Sequence, residues 1–75
     1  MYKLLIVEDD FIIAKGLQKH FEKYHYDVQY IEDFEHVLDE FLEFQPDLVL
    51  LDIHLPFFDG YYWCQEIRKI SQVPI

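Results

Sequence analysis

The stretch "LVLLDIHLPFFDG", residues Leu48–Gly60, joins an apolar run to one carboxylate and a loop. Its first four residues are apolar, which is typical of a strand buried on both faces of a parallel sheet. Asp52 ends the run, and a carboxylate in such a place must be hydrogen-bonded, paired or used in chemistry. The loop after it contains Pro56 and Gly60, which respectively restrict and free the backbone.

Three other stretches have the character of strands. "KLLIV" (Lys3–Val7) is a second short apolar run, and "YDVQYI" (Tyr26–Ile31) alternates like a half-exposed strand. The strand before Asp52 is expected over Asp47–Leu51, and the closing "VPI" indicates the start of a fourth strand. Stretches with strand character therefore recur along the whole chain.

Apolar residues at helical spacing predict a helix after each of the first three strands. The first helix runs from about Phe11 to Tyr24, the second ends at Pro46, and the third covers Tyr61–Ile70. The expected N-caps are Asp10, Asp33 and Asp59. The predicted inner faces are Ile13, Leu17, Phe21 and Tyr24 in the first helix, Val37, Leu38, Phe41 and Leu42 in the second, and Trp63, Ile67 and Ile70 in the third.

Alternating strands and amphipathic helices predict an α/β fold with a mainly parallel sheet and helices on both faces. Residues 1–75 contain no repeat and no inter-domain linker, so they form one domain or part of one. Of these residues, 52% are hydrophobic and 19% aromatic. Because so short a chain buries little of its surface, we expect these side chains to pack against more protein.

The charge and the cysteine count exclude several classes of function. A net charge of -9, from 15 acidic and 6 basic residues, argues against binding nucleic acid or an anionic membrane through this segment. Cys64 is the single cysteine, so no internal disulfide forms, and we expect a reducing, cytoplasmic location. The N-terminus is too short in apolar residues for a signal peptide or membrane span. The four histidines show no zinc-binding spacing.

Carboxylates follow two of the predicted strands. Glu8 and Asp9 come after the first strand and Asp52 after the third. Parallel neighbouring strands would bring the three together at the carboxyl edge of the sheet, where ligands bind in such folds. Like charges there raise one another's pKa unless a cation enters. Mg²⁺ suits the site best, because it takes one or two carboxylates and completes its shell with water and phosphate oxygens.

A carboxylate beside magnesium can attack a phosphoryl group and form an acyl phosphate, here on Asp52. The loop then has a purpose, since a backbone carbonyl near His54 completes the metal shell while Pro56 and Gly60 shape the turn. A structural explanation stands beside this one. Asp10, Asp33 and Asp59 are expected to be helix caps only, and Glu8 and Asp9 alone fit a structural role equally well.

The quoted motifs "KLLIVEDD", "PDLVLLDIHLPFFDG" and "VPI" together resemble the receiver domain of bacterial two-component response regulators. The resemblance implies a flavodoxin-like (CheY-like) doubly wound parallel sheet with strand order 2-1-3-4-5. It implies Asp52 as phospho-acceptor, Asp9 and Asp52 as direct Mg²⁺ ligands, Glu8 acting through water and the His54 carbonyl as a further ligand. Pro56 and Gly60 match the family's loop, and the expected partner is a sensor histidine kinase.

"YIEDFEHVLDEF" and "FFDGYYWCQEIRKISQVPI" resemble, more narrowly, receivers of winged-helix (OmpR/PhoB-like) regulators that respond to bacitracin and other antimicrobial peptides. Receivers of this type have five strands and five helices. We therefore expect residues 1–75 to be the N-terminal part of one, truncated after the third helix. The hydroxyl residue and lysine that end the last two strands, and the DNA-binding domain, would then lie outside the chain.

Three functions remain open at this point. The leading one is a phospho-accepting signalling switch that controls transcription and is not an enzyme. The second is a receiver-like module for interaction or dimerisation without phosphorylation, and self-association through the third-strand edge or the "QVPI" tail is expected in either case. The third is a haloacid-dehalogenase-like phosphatase or phosphotransferase. Such enzymes want a second acid two positions after the nucleophile, where this chain has His54.

Overall fold

A computed structural model describes all residues from 1 to 75 and contains three strands alternating with three helices. The strands are β1 (Lys3–Val7), β2 (Asp27–Tyr30) and β3 (Leu48–Leu51), and the helices are α1 (Phe11–Glu22), α2 (Val37–Phe44) and α3 (Gly60–Arg68). All strand pairs are parallel, and the order across the sheet is β2-β1-β3. The predicted α/β fold with a parallel sheet is confirmed.

Strand β1 occupies the middle of the sheet and sets its register. Leu4 pairs with Val28 on one side and with Leu48 on the other. The β1–β3 pair is fixed at its start by Lys3 and Asp47, because the Lys3 N–H donates to Asp47 Oδ2 and the Asp47 N–H donates to Lys3 O, both at 2.8 Å. This register brings the carboxyl ends of β1 and β3 side by side.

The hydrophobic core lies on both faces of the sheet, as alternate side chains of β1 point to opposite faces. On one face α1 covers a small cluster of buried side chains, namely Leu4, Ile6, Ala14 and Val28. On the other face α2 and α3 cover a larger cluster, which contains Leu5, Val7, Ile31, Val37, Phe41, Val49, Trp63 and Ile67. None of the three helices has the length and apolar character needed to cross a membrane.

Two of the three predicted caps are confirmed. Asp10 accepts from the N–H groups of Ile12 and Ile13 at the start of α1, and Asp59 accepts from the Tyr62 N–H at the start of α3. The prediction for Asp33 is wrong. It closes a separate turn by accepting from the Glu35 N–H and the His36 ring, so that α2 begins only at Val37 without a side-chain cap.

The predicted inner faces of α2 and α3 are confirmed in part. Val37, Phe41, Trp63 and Ile67 are buried, and Leu38 packs against the larger cluster. The prediction is wrong for Leu42 and Ile70, which are both exposed. Ile70 lies beyond the end of α3 at Arg68.

Helix α1 differs from its prediction in length and in its buried face. It ends at Glu22 rather than near Tyr24, and the left-handed conformation of His25 reverses the chain into β2. Ala14 is its one buried residue, while Leu17 and Phe21 are partly buried against the smaller cluster. Ile13 and Tyr24, predicted to face inward, are exposed.

The chain after α3 lies along the outer edge of β3. The Val49 N–H donates to Pro74 O at 2.9 Å, and Arg68 Nη1 holds the segment by donating to Val73 O at 2.6 Å. The predicted fourth strand is not formed, because a single hydrogen bond to β3 does not make a strand.

Candidate functional site

The acidic residues that follow β1 and β3 meet at the carboxyl edge of the sheet. The Asp52 N–H donates to Val7 O at 2.9 Å, which places the end of β3 beside the end of β1. Carboxylate oxygens of Glu8, Asp9 and Asp52 all lie within 4.8 Å of one another. The structure thus brings together three acids that are 44 positions apart in sequence at their extremes. We call these three residues the acidic cluster.

Main-chain hydrogen bonds orient the side chains of the acidic cluster. Glu8 Oε1 accepts from the Asp10 N–H at 3.1 Å, and Asp52 Oδ1 accepts from the His54 N–H at 3.3 Å. Asp10, the next acid in the sequence, instead turns its carboxylate to the first turn of α1. The sequence "EDD" therefore divides into two cluster members and one helix cap.

The acidic cluster has no basic partner. The ion pairs of the protein join His36 with Asp33 and Lys69 with Glu66, so no lysine, arginine or histidine neutralises the cluster. Partial burial raises the pKa of Glu8, opposed by the Asp10 N–H, and the negative charges of Asp52 and Asp9 raise it further. The site is electrostatically incomplete and favours a bound cation.

The donors of the acidic cluster are all carboxylate oxygens, which are the ligands that Mg²⁺ and other hard cations prefer. No histidine or cysteine belongs to the cluster, so it lacks the nitrogen and sulfur donors typical of zinc sites. Two carboxylates bound directly and a third acting through water would leave room for oxygens of a phosphate group. The residues present fit magnesium.

The loop between β3 and α3 borders the same site. His54, Pro56 and Asp59 line an open cleft together with Asp9. The hydrogen bond from the His54 N–H to Asp52 places the main chain of His54 beside the acidic cluster. Phe57 is left-handed, with φ 67°, and the Phe58 N–H donates to Pro56 O at 2.9 Å. This is the strained form of the γ-turn, and such strain is concentrated at functional sites in proteins.

Gly60 allows α3 to begin directly against the backbone of Asp52. Its N–H donates to Ile53 O at 2.9 Å. A Cβ atom at this position would overlap the Asp52 carbonyl oxygen and would lie 2.8 Å from Ile53 Cα. The φ of Gly60 is not positive, so close approach is the reason for glycine here.

Sequence reasoning missed an aromatic cavity on the other side of Glu8 and Asp9. Phe11, Tyr30 and Phe34 line it, although they come from α1, the end of β2 and the following loop. The sequence pattern predicted only that these residues belong to helices or a strand. A cavity built from three separate segments has no motif of its own.

Comparison with known proteins identifies the family of this chain. The family described as the response regulator receiver domain matches residues 4–75. The chain therefore belongs to the response regulator receiver domain family. Among curated proteins it is 56% identical over 75 residues to the uncharacterized transcriptional regulatory protein YvcP of Bacillus subtilis. It is 45% identical over 73 residues, 97% of its length, to the response regulator protein GraR of Staphylococcus aureus.

Solved structures show the same fold. The N-terminal domain of the nisin resistance regulator NsrR, a lantibiotic response regulator, superposes with a TM-score of 0.93 at 44% identity, covering 100% of this chain and 63% of that one. TrrA of Thermotoga maritima, solved in complex with Mg²⁺ and BeF, gives a TM-score of 0.87 at 32% identity over 96% of this chain and 63% of that one. The CheY-like receiver fold, N-terminal portion, is confirmed.

The chain spans about a third of the length of the curated relatives, 32% of YvcP and 33% of GraR. Membership of the receiver family favours the signalling functions over the phosphatase alternative. The roles of individual residues at the acidic cluster rest on the geometry described above.

Proposed function

We propose that residues 1–75 form the phospho-accepting part of a two-component response regulator, with Asp52 as the acceptor. The observation that carries this proposal is the convergence of Glu8, Asp9 and Asp52 within 4.8 Å at the carboxyl edge of a receiver-type sheet. Asp52 is half-buried and held by the His54 N–H, so it presents a positioned oxygen rather than a mobile surface charge.

The proposed reaction transfers a phosphoryl group to Asp52. One carboxylate oxygen of Asp52 attacks the phosphorus of the donor, a new O–P bond forms, and the bond between phosphorus and the donor atom breaks. The electron pair of that bond leaves with the donor. Asp9, Asp52 and the His54 carbonyl, with Glu8 acting through water, would hold Mg²⁺, which would supply charge neutralisation at the phosphoryl oxygens.

The acyl phosphate adds a charge of roughly -1.5 to -2 at Asp52, and this change is the signal. The protein acts as a switch in this scheme and not as an enzyme that turns over a substrate. Transcription would be controlled through a DNA-binding domain outside this segment, since a segment with a net charge of -9 is unsuited to binding DNA.

The phosphodonor we propose is a sensor histidine kinase acting in the cytoplasm. TrrA has also been solved in complex with the histidine kinase ThkA. The likeness to the nisin resistance regulator NsrR supports peptide antibiotics as the class of inducing signal.

The second candidate is a receiver-like interaction module that is never phosphorylated. The exposed apolar side chains of α1 and of the β3–α3 loop favour it, because they offer contact area independent of the acidic cluster. Phosphorylation distinguishes the two candidates directly.

The test uses the whole regulator that contains these residues, incubated with acetyl phosphate and Mg²⁺ and analysed by intact mass spectrometry. We expect one added phosphoryl group, lost in Asp52→Asn and on chelation of the metal. Asp39→Asn is the matched control, because Asp39 is an exposed aspartate on α2 and away from the acidic cluster. An unlabelled wild-type protein that still self-associates would favour the interaction module.

A further inference from the structure

The aromatic cavity, of about 250 Å³, lies between the start of α1 and the loop that follows β2. Its apolar lining consists of Phe11, Tyr30 and Phe34 together with Ala14 and Ile31. Ala14 and Ile31 are almost fully buried, whereas Phe11 is 60% exposed at the mouth. The rings of Phe11 and Tyr30 meet edge to face, with centroids 5.8 Å apart. The cavity therefore has ordered aromatic sides and an apolar interior.

The remaining lining residues are all acids: Glu8, Asp9 and Glu32. None of them forms an ion pair within the protein. One cation already lies near an aromatic ring of the cavity, since Lys15 Nζ is 5.8 Å from the ring centroid of Tyr30. Aromatic faces attract cations, and unpaired carboxylates beside them add to that attraction. Charge complementarity thus selects a cationic occupant.

The size and the donors of the aromatic cavity favour an arginine side chain. Pockets for drug-sized ligands measure roughly 300–1,000 Å³, so a cavity of about 250 Å³ suits one long side chain better. A guanidinium group stacks on aromatic rings, sheds water more readily than an ammonium group and binds carboxylates through two N–H groups. A lysine ammonium group satisfies fewer of these features.

We propose that the aromatic cavity is a docking pocket for an arginine side chain of a partner protein, stacked against Phe11 and Tyr30 and paired with Glu32. The pocket shares Glu8 and Asp9 with the acidic cluster but does not include Asp52, and the proposed pairing residue Glu32 lies outside that cluster, so the inference goes beyond the proposed phosphoryl transfer. We assign the arginine to a partner protein and not to residues 1–75 of a second copy of this chain. The chain's one arginine, Arg68, donates through Nη1 to the carbonyl oxygens of Ser71 and Val73.

The proposal is tested with the whole chain and N-acetyl-arginine amide as the probe, by NMR titration in buffer free of divalent cations. We expect the amide resonances of Ala14, Ile31 and Phe34 to shift. Glu32→Gln should weaken binding about two- to fivefold, the range of an exposed ion pair. Phe11→Leu should weaken it by a similar factor through loss of the cation–π contact, about two- to fivefold.

Two controls separate a pocket from general attraction to an acidic protein. Glu35→Gln removes the same charge from the same loop but does not line the cavity, so binding should be unchanged. N-acetyl-citrulline amide has the same shape without the charge and should not shift these resonances. Equal shifts with citrulline, or equal weakening by Glu35→Gln and Glu32→Gln, would overturn the proposal. Binding that appears only in Lys15→Gln would assign the cavity to the chain's own Lys15 and overturn it as well.

Discussion

Gly60 and Asp52 are joined by a main-chain contact that leaves no room for a side chain. The Gly60 N–H donates to Ile53 O at 2.9 Å, and a Cβ atom on Gly60 would lie 2.9 Å from the carbonyl carbon of Asp52. The start of α3 and the candidate phospho-acceptor therefore cannot move independently. Any group added at Gly60 must displace either the helix or the Asp52 backbone.

We predict that Gly60→Ala destabilises the protein by about 1–3 kcal/mol, the usual cost of overpacking. It should also weaken Mg²⁺ binding, because the displaced backbone carries Asp52. Urea unfolding and a Mg²⁺ titration followed by NMR measure the two effects.

Gly16→Ala is the matched control: Gly16 is exposed within α1 and nothing lies within 4 Å of an added Cβ. That change should stabilise the protein by about 0.5–1 kcal/mol. Equal effects of the two changes would contradict the close packing of Gly60.

The raised pKa of Glu8 predicts a pH dependence of stability in the absence of metal. Because the folded state holds the Glu8 proton more tightly than the unfolded state, the free energy of unfolding should fall as pH rises from about 4.5 through the raised pKa. Glu8→Gln removes this loss, so the variant should be the more stable protein at neutral pH. Glu43→Gln, which changes an exposed glutamate of α2, should leave the loss of stability with rising pH unchanged.

Mg²⁺ should reverse the effect of Glu8→Gln, because a cation stabilises the deprotonated cluster. Urea unfolding at several pH values, with and without Mg²⁺, measures this. A variant that stays more stable than the wild type at saturating Mg²⁺ would contradict a role for Glu8 in metal binding.

The turn before α2 predicts a second pH dependence, which involves His36 and Asp33. A hydrogen bond of 2.8 Å from the His36 ring to Asp33 raises the pKa of His36, and the same bond lowers the pKa of Asp33. The stabilising effect of this exposed pair is present between the ordinary pKa values of aspartate and histidine. It is lost as pH rises through the raised pKa of His36 and as pH falls through the lowered pKa of Asp33. Asp33→Asn should lower the His36 pKa, which NMR titration of the imidazole resonances measures directly. An unchanged His36 pKa in this variant would show that the pair is not formed in solution.

Exposed apolar surface predicts that the 75-residue chain self-associates. Ile12 and Ile13 of α1 are exposed, and Leu17 of α1 lines a groove together with Leu50 of β3. Surface of this kind exceeds what a soluble monomer usually presents. Sedimentation at micromolar concentrations should reveal a dimer that Ile13→Lys weakens. Ile70→Lys alters a similarly exposed isoleucine near the end of α3 and should have little effect. A monomer across the whole concentration range would contradict this prediction.

The parts of the fold that follow from periodicity were predictable from the sequence. The apolar run Lys3–Val7 became the buried central strand with its predicted bounds, and Asp10 and Asp59 cap their helices as expected. Helix ends were less predictable, because they depend on turns whose partners lie outside the helix. Asp33 looks like a cap in sequence, yet its hydrogen bonds to Glu35 and His36 delay α2 until Val37.

The candidate site also has a part that was predictable from the sequence and a part that was not. Its acidic cluster was predictable because β1 and β3 are parallel neighbours and each ends in acids. The aromatic cavity was not predictable, because Phe11, Tyr30 and Phe34 meet only after β2 and α1 have packed against β1. The strain at Phe57 was also hidden, since no sequence rule places a bulky aromatic residue in a left-handed turn.

The most direct test of the account is to locate the phosphoryl group chemically. The whole regulator is phosphorylated with acetyl phosphate and Mg²⁺, reduced with borohydride to convert the aspartyl phosphate to homoserine, digested and sequenced by mass spectrometry. The account predicts homoserine at position 52 and at no other aspartate. Homoserine at Asp9, Asp10 or Asp59 with Asp52 intact, or labelling that persists in Asp52→Asn, would contradict it.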